Sequence, residues 1–317
     1  MADDAPSAAH APSPGPWRRA AHTAARTTCV GAMVTAILVL LSPWWWPGEC
    51  AIHWHWHVAV AAAPGAIILR RWWLAALISA VIIVAIPGLL PEATQRAPIT
   101  NSGLRVTSAN PGWFNHQTAA TADLLLAQEA DVLGVVELTI ELQRELQDAY
   151  PYRVTETVGR LAFGIGLFSR YPIRDAVCLE VDWSVLINAV IDTPDGPLRV
   201  LVLHPAPPVG SSGFANRNAV LKQASQIASF ATEPVLLMGD LNCSPASPAW
   251  RRLLRDAALH PSQSIARSWP APIAATGIAI DHILTSEGLA LSAITPLRLP
   301  GSDHMAISAL VAPTASP

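Results

Sequence analysis

The sequence predicts an α/β domain behind a set of apolar, membrane-type helices, and two observations carry that prediction. Charged residues make up 14% of the 317 positions and hydrophobic ones 51%, against about 25% charged in an ordinary soluble domain. The deficit is concentrated in the first third. From about residue 103 the pattern changes to short β-rich runs alternating with amphipathic helices, and polar residues repeatedly stand where an apolar run stops.

Residues 1–26 are rich in Ala, Pro and Ser, a composition expected to remain disordered. Three apolar stretches follow, at about 27–46, 51–69 and 72–90. The first and third approach the ~20 residues that cross a bilayer, while the middle one is interrupted by Pro64 and Gly65. Arg18, Arg19 and Arg26 precede the first stretch and Arg70 and Arg71 separate the second from the third. The loop SPWWWPGECAIH between the first two has neither Lys nor Arg. The positive-inside rule then gives a cytoplasmic N-terminus, three crossings of the cell membrane, and an extracytoplasmic chain beyond residue 92. Trp44, Trp45, Trp46, Trp54 and Trp56 at one boundary and Trp72 and Trp73 at the other suit interfacial belts. No small-residue cleavage site stands out, so the first stretch reads as a retained anchor, not a signal peptide. His53 and His57 would share a helix face, as in a two-His metal site; interfacial polar residues are the plainer reading.

After a linker over 92–103, the elements follow in order: strand LRVTSAN to Asn110, helix TAATADLLLAQE, strand DVLGVVEL to Glu137, helix ELQRELQDAY. The runs LAFGIGLFS, VLINAVIDT and LRVLVLH read as strands, the last two joined by the turn PDGP. Helix NRNAVLKQASQIASFA, the buried strand PVLLMGDLN and the strands AIDHILTS and HMAISALVA complete the domain to about 312, with a short tail over 313–317. Cys178 and Cys243 are read as two buried thiols, with a disulfide between them as the alternative.

The chemistry-bearing residues stand at strand ends. In VLLMGDLNCSP a buried strand delivers Asp240 and Asn242 to a loop, where on an extended chain both would face one side; an Asx turn is the competing reading. His204 closes LRVLVLH, Asp281 opens a strand, and Asp303 with His304 precedes another. Glu137, at the end of a mostly apolar run, needs a partner, and a hard cation is a natural one. Arg217 and Asn216 are candidate phosphate contacts, although an Arg at a helix start is more often structural. Trp113 is a candidate stacking surface. His116, His260 and His282 read as surface or packing residues.

In this order Asn110, Glu137, His204, Asp240 with Asn242, Asp281, and Asp303 with His304 resemble the endonuclease/exonuclease/phosphatase superfamily. The resemblance covers about 104–312 and is supported by the segments YPYRV and GIGLFSRYPI. It implies a four-layer α/β sandwich of two mixed sheets flanked by helices. It also implies Mg²⁺ (or Mn²⁺) held mainly by Glu137, with Asn110 and Asp303 completing or backing the shell. Asp240 would position or deprotonate the attacking water, and Asn242 would hold it and a phosphoryl oxygen. His304, oriented by Asp281, and His204 on the opposite side would stabilise charge or protonate the leaving oxygen.

From residue 92 onward the chain carries fifteen basic and twenty acidic residues, which argues against tight nonspecific binding of duplex DNA. The expected activity is hydrolysis of a phosphodiester, in nucleic acid or a lipid headgroup, next to the bilayer that holds the anchor. A phosphomonoesterase on inositol or lipid phosphates and a tethered binding module are the alternatives. No protein partner is implied.

Overall fold

The computed structural model describes residues 15–70, 103–157 and 164–314. Helices α1 (Pro16–Leu41) and α2 (Trp46–Ile68) pack as an antiparallel hairpin. Its seam is made of small residues: Ala25, Cys29, Ala32 and Ala36 of α1 recur every three or four positions and meet Ala59, Ala62 and Ala66 of α2. Two glycines of α2 set the separation. A Cβ on Gly48 would lie 2.2 Å from the Leu38 carbonyl oxygen, and one on Gly65 would lie 2.7 Å from Thr28 Oγ1. Small residues let helix backbones approach closely where lipid leaves little hydrophobic drive for association. On the opposite face of α1, Val30, Val34, Ile37 and Leu40 are exposed.

Among the described residues, α1 is the one helix long and apolar enough to cross a membrane. It begins at Pro16, so residues 16–26, expected to be disordered, are helical. Pro at the first helical position, where the missing N–H costs nothing, accounts for the start. The middle stretch is helical straight through Pro64, but its first half carries Glu49 and three histidines and docks on the α/β domain, which departs from a simple span. The third stretch, the first fourteen residues, nearly all of the linker and the last three residues lie outside the described residues.

The domain is a four-layer α/β sandwich. In the first sheet, β1 (Leu104–Ala109) and β2 (Val132–Val136) run parallel, a pairing that requires a crossover, supplied by α3 (Thr118–Leu126). Helix α4 (Ile140–Leu146), capped by the Thr139 hydroxyl, leads to β3 (Tyr152–Glu156) and β4 (Ile165–Ser169). In the second sheet, β5 (Ile173–Val181), β6 (Ser184–Thr193) and β7 (Gly196–Leu203) form a meander. Helix α5 (Gly210–Ser229) then crosses to β8 (Val235–Asp240), parallel to β7. After α6 (Pro248–Ala257) come β9 (Leu259–Pro261), β10 (Asp281–Ser286), β11 (Leu289–Leu291), β12 (Thr295–Arg298) and β13 (Met305–Pro313). The sheet orders are β11-β13-β1-β2-β4-β3, with β12 also on β13, and β5-β6-β7-β8-β10-β9.

Alternation along each strand builds the layers. Val132 and Val136 of β2, Val200 and Val202 of β7, and Leu236 and Met238 of β8 fill the space between the sheets. The residues between them turn outward: Leu133 and Val135 onto Leu125, Leu142 and Leu146, and Leu201, Leu203 and Leu237 onto Val220, Leu221 and Leu253. Gly134 sits where the sheets come closest, since a Cβ there would be 2.6 Å from Met238 Sδ. Strands buried on both faces explain the continuous apolar runs of the sequence.

Candidate active site

Two parallel strand pairs, one in each sheet, end at the same edge of the sandwich. Asn110 follows β1, Glu137 follows β2, His204 follows β7 and Asp240 ends β8. The antiparallel neighbours then begin there: Asp281, the first residue of β10, is in register with Asp240. Asp303 and His304 immediately precede β13, whose start lies beside the end of β1. Sheet direction alone thus gathers residues from six separate segments, at the carboxyl ends where α/β sheets bind ligands.

The turn backbones are unusual at the site. Glu137 (φ 51°) and Asn242 (φ 47°) adopt the left-handed region, which costs about 1 kcal/mol or more for a non-glycine residue. Gly239 has φ 138°, and a Cβ there would lie 2.0 Å from the Leu203 carbonyl oxygen. The extended geometry expected of Asp240 and Asn242 therefore does not hold. Asn242 N–H donates to Asp240 Oδ1 at 2.9 Å in an Asx-type turn, yet both side chains still line one cavity. The Asn242 amide nitrogen donates to the Pro205 carbonyl at 2.9 Å, which fixes its orientation.

Asn110 is fully buried, and its amide nitrogen donates to Glu137 Oε1 (3.0 Å) and Asp240 Oδ2 (3.2 Å) while its oxygen accepts from Gly112 N–H. With both ends engaged it stands behind the cavity and joins the two carboxylates. Glu137 Oε2 accepts from Trp113 N–H at 2.9 Å, and His204 Nε2 lies 3.4 Å from Glu137 Oε1. His304 Nδ1 bonds Asp281 Oδ2 at 2.8 Å, and its Nε2 is 3.8 Å from Asp240 Oδ2. Asp303 is exposed on the same cavity and accepts from Trp269 Nε1 at 2.9 Å.

These contacts set the ionisation. Burial alone would raise Glu137, but hydrogen bonds from His204, Asn110 and the Trp113 N–H, with the His204 charge, hold it at about 2. Burial and the Asp281 charge push Asp240 up to about 6 against the pull of the two histidines. Burial would lower His304, but Asp281 and Asp240 outweigh it and carry the imidazole to about 10. His204 is raised as well, Glu137 and Asp240 prevailing over its burial. The site therefore combines an ionised carboxylate, a carboxylate near neutrality and a His–Asp pair, a set suited to acid–base chemistry on a charged ester.

The donors also fit a divalent cation. Asp240, Asp281 and His304 bring ligand atoms within 4.8 Å of one another, and Asp281 Oδ1 is buried without a hydrogen-bond partner. The grouping differs from the Asn110, Glu137 and Asp303 expected from sequence, because the His304–Asp281 hydrogen bond draws its members together. Glu137 and Asp303 instead offer oxygen to the open cavity, which suits a hard, partly hydrated cation.

A model of the endonuclease/exonuclease/phosphatase family matches residues 100–304. The chain belongs to this family. No match is found among curated proteins. Solved structures share the fold of this endonuclease/exonuclease/phosphatase domain. A double mutant of beta toxin from Staphylococcus aureus with bound magnesium ions is 19% identical, with a TM-score of 0.52, covering 66% of this chain and 99% of that one. An endonuclease/exonuclease/phosphatase from Beutenbergia cavernae is 16% identical, TM-score 0.55, covering 68% and 72%. A family protein from Leptotrichia buccalis is 13% identical, TM-score 0.54, covering 66% and 99%.

Several contributors carry no sequence signal that separates them from ordinary loop residues. The Ser302 hydroxyl donates to the Asn110 carbonyl at 2.8 Å and accepts from His304 N–H at 2.9 Å, tying two site residues together. Ser268 Oγ accepts the N–H groups of Ile280 and Asp281. Arg217 proves structural: it is fully buried, paired with Glu49 of α2 at 2.9 Å, and bonds the Asn242 carbonyl at 3.2 Å. His53 and His57 are engaged with the domain: His53 Nδ1 bonds Ser244 Oγ at 2.7 Å and the His57 ring bonds the Thr276 carbonyl. His282 stacks on Trp250 with ring centroids 4.1 Å apart. Cys178 and Cys243 are free thiols.

Proposed function

We propose that this chain is a membrane-anchored, Mg²⁺-dependent phosphodiesterase acting by attack of water on phosphorus. The observation that carries the reading is the meeting of Glu137, His204, Asp240 and the His304–Asp281 pair around one cavity, with pKa values pushed apart. Asp240, near neutrality and buried, accepts the proton of the attacking water; its hydrogen bonds from Asn110 and Asn242 N–H hold it in place. His304, kept protonated by Asp281, presents Nε2 beside Asp240 and donates to a phosphoryl oxygen as negative charge builds there. His204, from the other sheet, stabilises that charge or protonates the leaving oxygen. A divalent cation would be held by Glu137 and Asp303 with Asn110 behind them, and would supply Lewis-acid polarisation of the phosphoryl group. Helix α1 is the anchor, with the domain extracytoplasmic.

The test is turnover of bis-p-nitrophenyl phosphate, plasmid DNA and phospholipid by the full chain in detergent, with EDTA and with Mg²⁺ or Mn²⁺ restored. Metal-dependent hydrolysis that falls at least about 10³-fold in Glu137→Gln and in Asp240→Asn is the expected result. Equal turnover in EDTA, or activity retained in both variants, would discard the assignment.

A further inference from the structure

Helix α2 contributes side chains to the catalytic cavity. Cys50, His53 and Trp54 share one helix face and line the same space of about 860 Å³ as Glu137, His204 and Asp240. The helix end that carries them is fixed rather than draped. Glu49 and Arg217 form a buried pair, Ser247 Oγ donates to the same Glu49 oxygen, and Cys50 Sγ reaches the Pro208 carbonyl at 3.4 Å. The Trp54 ring meets that of Trp269 edge-on with centroids 6.1 Å apart, and Trp269 in turn holds Asp303.

Beside its charged residues the cavity is walled by apolar ones. Trp54, Trp113, Phe114, Val209 and Ile278 line it, and Trp113, Phe114 and Val209 expose 44%, 69% and 67% of their surface. Trp113 and Phe114 lie tilted against each other with centroids 3.5 Å apart, on the loop that follows Asn110, the residue that joins Glu137 and Asp240. An exposed aromatic and aliphatic rim around a phosphate-type site has no use for a purely hydrophilic ester. Its position fits: Val39, near the end of α1, clusters with Ile52 of α2 and Ala246 of the domain, so the membrane-type helix ends against the domain beside the α2 segment that carries Cys50, His53 and Trp54.

We propose that α2 is part of the substrate site and that Trp54, with Trp113, Phe114 and Val209, forms a wall for the apolar group of an amphiphilic phosphoester. The inference rests on the phosphodiesterase reading above. It makes Trp54 a specificity-determining residue supplied by the anchor itself.

The experiment uses the full chain in phosphatidylcholine nanodiscs and p-nitrophenyl methyl, butyl and hexyl phosphates, which share one leaving group. In the wild type kcat/KM should rise roughly two- to four-fold per added methylene. In Trp54→Ala the hexyl-to-methyl ratio should fall at least about tenfold, and Trp54→Phe should restore most of it. Val209→Ser, a change at an exposed domain position, should lower the same ratio and serves if Trp54→Ala does not fold. A ratio near one in the wild type, or one unchanged in both Trp54→Ala and Val209→Ser, overturns the inference. If no ester is cleaved, the phosphodiesterase reading falls separately, and calorimetry with hexylphosphonate and methylphosphonate still decides. Tighter hexylphosphonate binding that depends on Trp54 supports the wall, whereas equal binding of the two phosphonates overturns it.

Discussion

Asp240 and His304 both make stability fall as pH rises, over different pH windows. A carboxyl whose folded pKa is about 6, against an ordinary 3.8, favours the folded state only while protonated. Its contribution is complete below pH 3.8, is lost as the pH rises to about 6, and stays lost above that. Asp240→Asn, which keeps the shape without the charge, should therefore stabilise metal-free protein by ~1–3 kcal/mol at pH 7.5 while abolishing activity. The gain should vanish near pH 4, as read by urea denaturation in EDTA. His304 follows the same sense over a higher window: its folded pKa of about 10 gives stability fully present below pH 6.5 and lost as the pH climbs through 10. Its largest favourable contributor is the Asp281 charge. Asp281→Asn should thus bring the His304 imidazole titration well down from about 10 in NMR spectra of the metal-free protein, and should cost activity through His304 rather than through metal affinity.

The hairpin depends on two glycines in α2. Leu at position 48 must displace the backbone of α1, given a Cβ only 2.2 Å from the Leu38 carbonyl oxygen. Gly48→Leu should lower stability by ~1–3 kcal/mol, seen as an earlier thermal midpoint in detergent. Gly31→Leu, on α1 with nothing within 4 Å of its Cβ, should leave the midpoint in place. The elements most readable from sequence were those with uniform surroundings. Strands β2 and β8 and the second half of β7 are buried on both faces and appear as apolar runs, and the site residues stand at their ends because each run stops at the site edge. Strand β5 is a sheet edge of mixed exposure, so its sequence shows no alternation. Helix α6 is short, but Ser247 as cap and Pro248 at its first turn are a start signal that the pattern of Leu and Arg alone obscures. The docking of α2 had no local sequence signature, since Glu49 and Arg217 find each other only after both parts have folded. The left-handed turn at Glu137 was equally invisible, since nothing in a Glu after an apolar run signals positive φ, whereas the Asp240–Asn242 turn was legible as an Asx-turn alternative.

Across the molecule, the long apolar helix α1, the candidate active-site edge and the apolar rim form one arrangement. The short connection between α1 and α2 lies at the domain end of the hairpin, so the membrane-anchored reading proposed above puts the domain on the side opposite Arg18, Arg19 and Arg26. A reporter fused after Pro317 that is active only outside the cytoplasm should therefore be functional, and activity of a cytoplasm-only reporter at that position would reverse the topology. The Glu49–Arg217 pair rivets the hairpin to the domain. Its partners are 168 positions apart, yet each neutralises a charge that the other's loss would strand in the interior. Replacing either one alone leaves a buried charge, so the helical hairpin and the domain are not interchangeable parts of this chain. A recombinant that joins this domain to a foreign membrane segment begins with an orphaned arginine beneath its catalytic loop.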